Sequence, residues 1–350
     1  MIPIRCKAGD LVEVRSAEEI LATLDERGCL DNMPFMPEML ELCGRSFRVY
    51  RGAHKICDST YYKEGRYLED TVFLEDLRCD GSAHDGCQAR CSIFFKLAWL
   101  KPVSPMRDWG LPARAQTPGH DAEWLKAGTR RTNEQGETVY RCQTTDYLDA
   151  TRPIKAFDVP MFVADLRTGN VRIGEMARAL LLLVVWHISV RTPILWGFWN
   201  RLYARLHRYF YGTESPHITG TIPAGAPTPD VRINVQEGEY VRVRPLSEIQ
   251  PTLNVGNRNR GLSFNPEMSP FCGGTFKVER RVTHIIDEKR FVMLDLKNPC
   301  IMLEGVHCKA RYHPEAPLCP KRVPQYFREA WLERAGQEGV KTGPARTNPP

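Results

Sequence analysis

One stretch of this chain occurs twice. Gly9–Asp58 aligns without a gap onto Gly238–Asp287, at a constant shift of 229 residues, and 19 of the 50 positions are identical. Ordinary composition would give roughly three. The same shift carries Leu74, Glu75 and Cys79 onto Leu303, Glu304 and Cys308. The shared residues read GDLVEVR/GEYVRVR, then EI..TL, then F.PEM...CG..F.V.R, and finally LE...C. A repeat of this length predicts two copies of one unit, each with its own core, rather than one continuous sheet or bundle. At 350 residues the chain is long enough to supply both cores.

Within the first copy, Ile4 to Arg15 alternates apolar and polar residues and reads as a strand, with a turn or bulge at Gly9-Asp10. Ser16 and Glu19 have capping-box spacing and open a short helix that buries Ile20, Leu21 and Leu24. A long loop over 25–40 follows, punctuated by Pro34 and Pro37 and anchored by Phe35 and Met39. Phe47 to Ile56 and Thr71 to Cys79 read as strands, and Ser92 to Lys101 as a covering helix. Short strands around a long loop predict a small SH3-like barrel. The expected fold is therefore mainly β with a helical insert. Two tandem SH3-like β-barrels, over 1–100 and 231–335, are joined by a connector at 101–230. The tail at 336–350 has almost nothing to pack and is expected to be disordered.

The connector carries two further signals. Asp158 to Gly169, with Pro160 near its start, predicts a compact helix. The stretch at about 171–211 is apolar and then basic-aromatic. Ala179 to Val190 is nearly all apolar, but its 12 residues fall short of the roughly 20 needed to cross a bilayer core. Beyond Pro193, helical spacing puts Arg201, Arg205 and Arg208 on one face, with Trp196 and Trp199 among the flanking aromatics. That is the pattern of an interfacial helix on an anionic membrane surface. A helix packed inside the protein, with its arginines in water, is the other reading.

Chemistry is concentrated in the cysteines. There are twelve, and the first fifteen residues lack the long apolar core of a signal peptide. A reducing, cytoplasmic setting is therefore expected, peripheral to the membrane if the basic helix binds it. There, clustered thiols bind metal rather than pair. Cys57 and Cys79 end the second and third expected strands, and Cys79-x7-Cys87-x3-Cys91 follows. Four thiolates so placed could hold tetrahedral zinc or an iron–sulfur cluster, and spacing does not separate the two. Cys142 is a further candidate for the same site. In the second copy Cys57 becomes Ile286, while Cys300 falls opposite Thr71, the residue expected beside Cys57 across a hairpin. Cys300, Cys308 and Cys319 are that copy's candidate ligands, with His307, His313 or Glu315 as a fourth. Cys43 and Cys272 lie in the shared turn and read as packing residues.

The combined pattern, GDLVEVRSAEEILATLD with F.PEM...CG..F.V.R and the cysteine string after it, resembles an uncharacterised bacterial family with two Cys-containing SH3-like repeats. The resemblance covers both copies and implies no activity. Walker, GxGxxG, GxSxG and HExxH motifs are all missing from the sequence, which leans against an enzyme. The charge of +6 is mild, and the basic residues are spread over the chain, so nucleic acid is an unlikely partner. The expected function is a non-catalytic, zinc-binding scaffold or adaptor for an unidentified protein partner. An iron–sulfur redox protein is the first alternative and a nucleic-acid binder the second.

Overall fold

A computed structural model describes residues 6–60, 64–103, 121–155, 157–212, 218–312 and 316–335. The predicted tail at 336–350 lies outside the described residues, as do His313 and Glu315. The chain divides into two compact units. The first comprises Met1–Val184, His284–Leu294 and Lys309–Arg322; the second comprises Val185–Thr283, Asp295–Cys308 and Val323–Pro350.

In the first unit, β1 (Leu11–Val14) leads into α1 (Ala17–Leu21). The capping box forms as predicted: Ser16 Oγ accepts from the Glu19 N–H at 3.2 Å, and Glu19 Oε2 accepts from the Ser16 N–H at 2.9 Å. The long loop contains a minimal hairpin, β2 (Cys29–Leu30) and β3 (Met33–Pro34), and a 3-10 helix at Pro37–Leu42. Next come β4 (Ser46–Gly52), β5 (Ile56–Cys57), β6 (Gly65–Tyr67), β7 (Thr71–Leu74), β8 (Phe95–Lys96) and β9 (Leu100–Pro102). Five of these form an antiparallel sheet in the order β8-β7-β4-β1-β9.

After this sheet come α2 (Ala122–Ala127), the pair β10 (Arg130–Thr132) and β11 (Thr138–Tyr140), α3 (Gln143–Asp146) and β12 (Arg152–Ile154). Strand β12 joins β6 and β5 in a three-stranded sheet. Helix α4 (Val159–Arg167) begins after Asp158 and closes at Gly169, where φ is +71°, as the sequence predicts. Then come α5 (Ile173–Arg191) and α6 (Trp196–Tyr211).

The second unit rebuilds the first sheet at the shift read from the sequence. Strand β13 (Tyr240–Val243), α7 (Leu246–Ile249), the hairpin β14 (Arg258–Asn259) and β15 (Leu262–Ser263), and a 3-10 helix at Pro266–Phe271 stand 229 residues after their counterparts. Strands β16 (Thr275–Ile286), β17 (Met293–His307), β18 (Pro324–Phe327) and β19 (Leu332–Arg334) complete a sheet ordered β18-β17-β16-β13-β19. Register is kept as well: Val12 opposes Phe47, and Val241 opposes Phe276. So is the core. Trp99 meets Phe35 edge-on at 5.1 Å, and Trp331 meets Phe264 edge-on at 5.2 Å. The Trp99 indole donates to Thr23 Oγ1 at 3.2 Å, and that of Trp331 to Thr252 Oγ1 at 3.0 Å.

Several expectations need correction. Neither sheet closes into a barrel: the outermost strands β8 and β9 are joined by a single 3-10 turn at Leu97–Trp99 and do not pair. The predicted helix over Ser92–Lys101 is that strand–turn–strand. Ile93, Phe94, Phe95, Leu97, Trp99 and Leu100 are all buried, and a run buried on every side has no periodicity to read. The second strand stops at Gly52, whose N–H donates to Asn170 Oδ1 and whose carbonyl accepts from Asn170 Nδ2. The third stops at Leu74, followed by a turn with Asp76 at φ +57°. Cys57 therefore opposes Gly65, while Thr71 accepts from the Ala53 N–H. The expected Cys57–Thr71 neighbourhood does not form, so Cys300 does not replace Cys57 across a hairpin. Finally, the apolar helix runs for 19 residues rather than 12, an 18-residue window of it has a mean hydropathy of 1.6, and it is by length and composition able to cross a membrane.

Candidate metal centre

The loop from Cys79 to Cys91 is tied at its base by the Cys79 N–H donating to the Cys91 carbonyl at 2.9 Å. Its tip is a tight turn centred on Gly81. The N–H groups of His84 and Gly86 both donate to the Gly81 carbonyl, and the Cys87 N–H donates to that of His84. Gly81 has φ +82°, and a Cβ there would lie 2.0 Å from the Cys87 carbonyl oxygen. Only glycine fits this position.

Two other elements meet the loop. The 3-10 helix after β3 presents Glu38, whose Oε1 accepts from the Cys79 thiol at 3.4 Å. Cys142 is the N-cap of α3. The buried Gln143 beside it fixes the helix: its Nε2 donates to the carbonyls of Pro34 and Phe94, and its Oε1 accepts from the Phe94 N–H. The donor atoms of Glu38, Cys79 and His84 lie within 4.8 Å of one another. They share a cavity of about 40 Å³ with Cys87, Cys91 and Cys142, which is room for one ion or water.

The electrostatics suit a cation. Burial pushes the Cys79 thiol up, and the Glu38 carboxylate and the thiols of Cys91 and Cys142 push it further. Burial also raises Cys142, and it takes Cys91 to about 11. The Glu38 carboxyl is raised by burial, and the His84 imidazole is lowered by it. Burial thus opposes charge on all five groups. A divalent ion reverses this balance, because it stabilises thiolate and carboxylate directly. Donors of a tetrahedral zinc are about 3.5 Å apart, so the group of three needs to close by only about an ångström. A mixed set of sulfur, imidazole and carboxylate suits zinc rather than a hard cation.

Of the ligands predicted for the first copy, Cys79, Cys87 and Cys91 line this cavity. Cys57 instead lies against Cys319, whose Sγ accepts from the Cys57 N–H at 3.1 Å. Burial alone would raise the Cys319 thiol. Hydrogen bonds from the Cys57 side chain and the backbone N–H groups of Lys321 and Cys57, with the Lys321 ammonium, outweigh it and bring the thiol to about 7. Of the candidate ligands of the second copy, Cys319 and Cys300 have other neighbours within their own units, and His313 and Glu315 lie outside the described residues. Cys319 belongs to the first unit, and in the second unit the buried Cys300 lies 3.3 Å from Arg328 Nη1. Cys308 is half-buried, with its N–H donating to the Val323 carbonyl. On α6, Arg201, Arg205, Arg208 and Trp196 are exposed and Trp199 is half-buried.

Sequence reasoning missed His84 and Glu38. Both were signalled by the repeat: the constant shift carries Glu38, Cys79 and His84 onto Glu267, Cys308 and His313.

No family model, curated protein or solved structure matches this chain.

Proposed function

We propose that this protein is a non-catalytic scaffold built on two SH3-like repeats, the first of them stapled by a zinc-type centre. Cys79, His84 and Glu38 supply three ligands, and the thiol of Cys91 or Cys142 the fourth. The observation that supports this reading is the convergence of Glu38, Cys79 and His84 within 4.8 Å, on a cavity also lined by Cys91 and Cys142. These residues come from three separate elements, so a bound ion would join the 3-10 helix, the Cys79–Cys91 loop and α3. Such an ion contributes directly to folding, because the unfolded chain offers no preformed site.

The test is elemental analysis with a visible spectrum on protein purified without air. Colourless protein holding zinc, with content lowered by about one equivalent in Cys79→Ser, supports the assignment. A brown protein with broad visible absorption overturns it in favour of an iron–sulfur cluster on Cys79, Cys87, Cys91 and Cys142. Metal content unchanged in Cys79→Ser rejects the centre.

A further inference from the structure

We propose that the turn joining α5 to α6 is a membrane-docking tip whose partner is the surface of a bilayer containing anionic phospholipid. The six consecutive residues 193–198, Pro-Ile-Leu-Trp-Gly-Phe, are all exposed. Ile194 is 97% exposed, and Leu195, Trp196 and Phe198 are each more than half exposed, as is Val190 just before them. Apolar residues scattered singly over a surface need no explanation, but a contiguous apolar run marks an interaction site.

Charge identifies the partner. Between Glu175 and Glu214 the sequence has no aspartate, glutamate or lysine, but it has five arginines. Arg191 precedes the apolar run, and Arg201, Arg205 and Arg208 follow it along α6; all four are exposed. The helix turns His207 inward and leaves Tyr209 83% exposed. Apolar and aromatic side chains flanked by cations match the layering of a lipid interface. The ring systems settle at headgroup depth, and each arginine meets a negative surface potential. An apolar insertion of six residues reaches the headgroup–acyl boundary rather than the far leaflet. The tip, Arg191 and α6 all belong to the second unit, and none of their residues lines the cavity of the metal centre.

The full chain should co-float with vesicles containing about a third phosphatidylserine and not with pure phosphatidylcholine vesicles. Binding should fall as salt rises. The double variant Ile194→Ser, Trp196→Ser replaces only exposed side chains and should fold normally, but lose about tenfold in vesicle affinity. Charge reversal at Arg201, Arg205 and Arg208 should weaken binding about a hundredfold. Absence of binding to anionic vesicles at low salt overturns the proposal, as does binding that neither variant changes. Carbonate-resistant retention of the protein in membranes would show that α5 spans the bilayer and would also overturn it. So would concentration-dependent self-association abolished by the Ile194 and Trp196 variant without any vesicle binding, since the tip would then be a contact between copies.

Discussion

The N–H of Cys57 donates to the sulfur of Cys319 across 262 residues of sequence, at 3.1 Å. That contact joins the segment Lys309–Arg322 to β5 within the first unit. It also predicts a pH dependence. The folded Cys319 thiol is lowered to about 7, below its unfolded value of about 8.5. The stabilisation is therefore fully present above the unfolded value and is lost as pH falls through about 7. Thermal unfolding of the native chain and of Cys319→Ser, compared between pH 9 and pH 6.5, should show a gap that narrows toward the lower pH. A gap independent of pH would mean that Cys319 is a neutral thiol.

Gly81 should be indispensable to metal uptake. Gly81→Ala forces a Cβ to within 2.0 Å of the Cys87 carbonyl oxygen, so the turn carrying His84 must rearrange. Gly136→Ala is the matched control. It also has a positive φ, of +78°, but a Cβ there meets nothing within 4 Å, and the cost is about 1–2 kcal/mol of backbone strain. Zinc content should collapse in the first variant and persist in the second.

Cysteines that share a sequence pattern should differ in metal content assays. Cys300→Ser and Cys319→Ser should leave bound metal unchanged, because these sulfurs lie against Arg328 and Cys57 respectively. His84→Ala should lower it as Cys79→Ser does. Loss of metal in Cys300→Ser would restore a cysteine centre to the second copy.

A buried charge cluster sets a second acid limit. Asp165 is wholly buried, with its carboxylate 3.0 Å from His54 Nε2, 2.5 Å from Lys55 Nζ and 3.1 Å from Asn170 Nδ2. Burial raises its carboxyl, but the His54 and Lys55 interactions outweigh this and hold it below the ordinary carboxylate value. That stability is present above about pH 4 and is lost as pH falls through the lower folded value. Asp165→Asn strands the Lys55 ammonium in the core and should cost about 3–5 kcal/mol, measured by denaturant unfolding at neutral pH. The variant should also lose the corresponding step of acid unfolding.

The repeat was the most legible feature. Its pattern located α1, the turn at Cys43-Gly44 and the buried positions of Ile20, Phe35 and Met39, because each of these depends on local sequence. The strand edges were less legible. Gly52 ends β4 through a side chain 118 residues away, and no local signal reports that. The site was half legible. The cysteine string marked the loop, but His84 was hidden among residues with no periodicity, and Glu38 was hidden inside a motif that read as packing. The neighbour of Cys319, Cys57, is set by long-range folding, and spacing does not report it.

The first unit takes its last segment, Lys309–Arg322, from near the far end of the chain. A ribosome making this protein therefore releases the complete second-copy loop, β14 and β15 included, before the first unit can close. Until then the Cys57 N–H and the Ser92 hydroxyl lack the Cys319 sulfur and the Lys321 carbonyl that accept from them in the folded chain. A stop codon anywhere upstream of Arg322 should therefore harm both units.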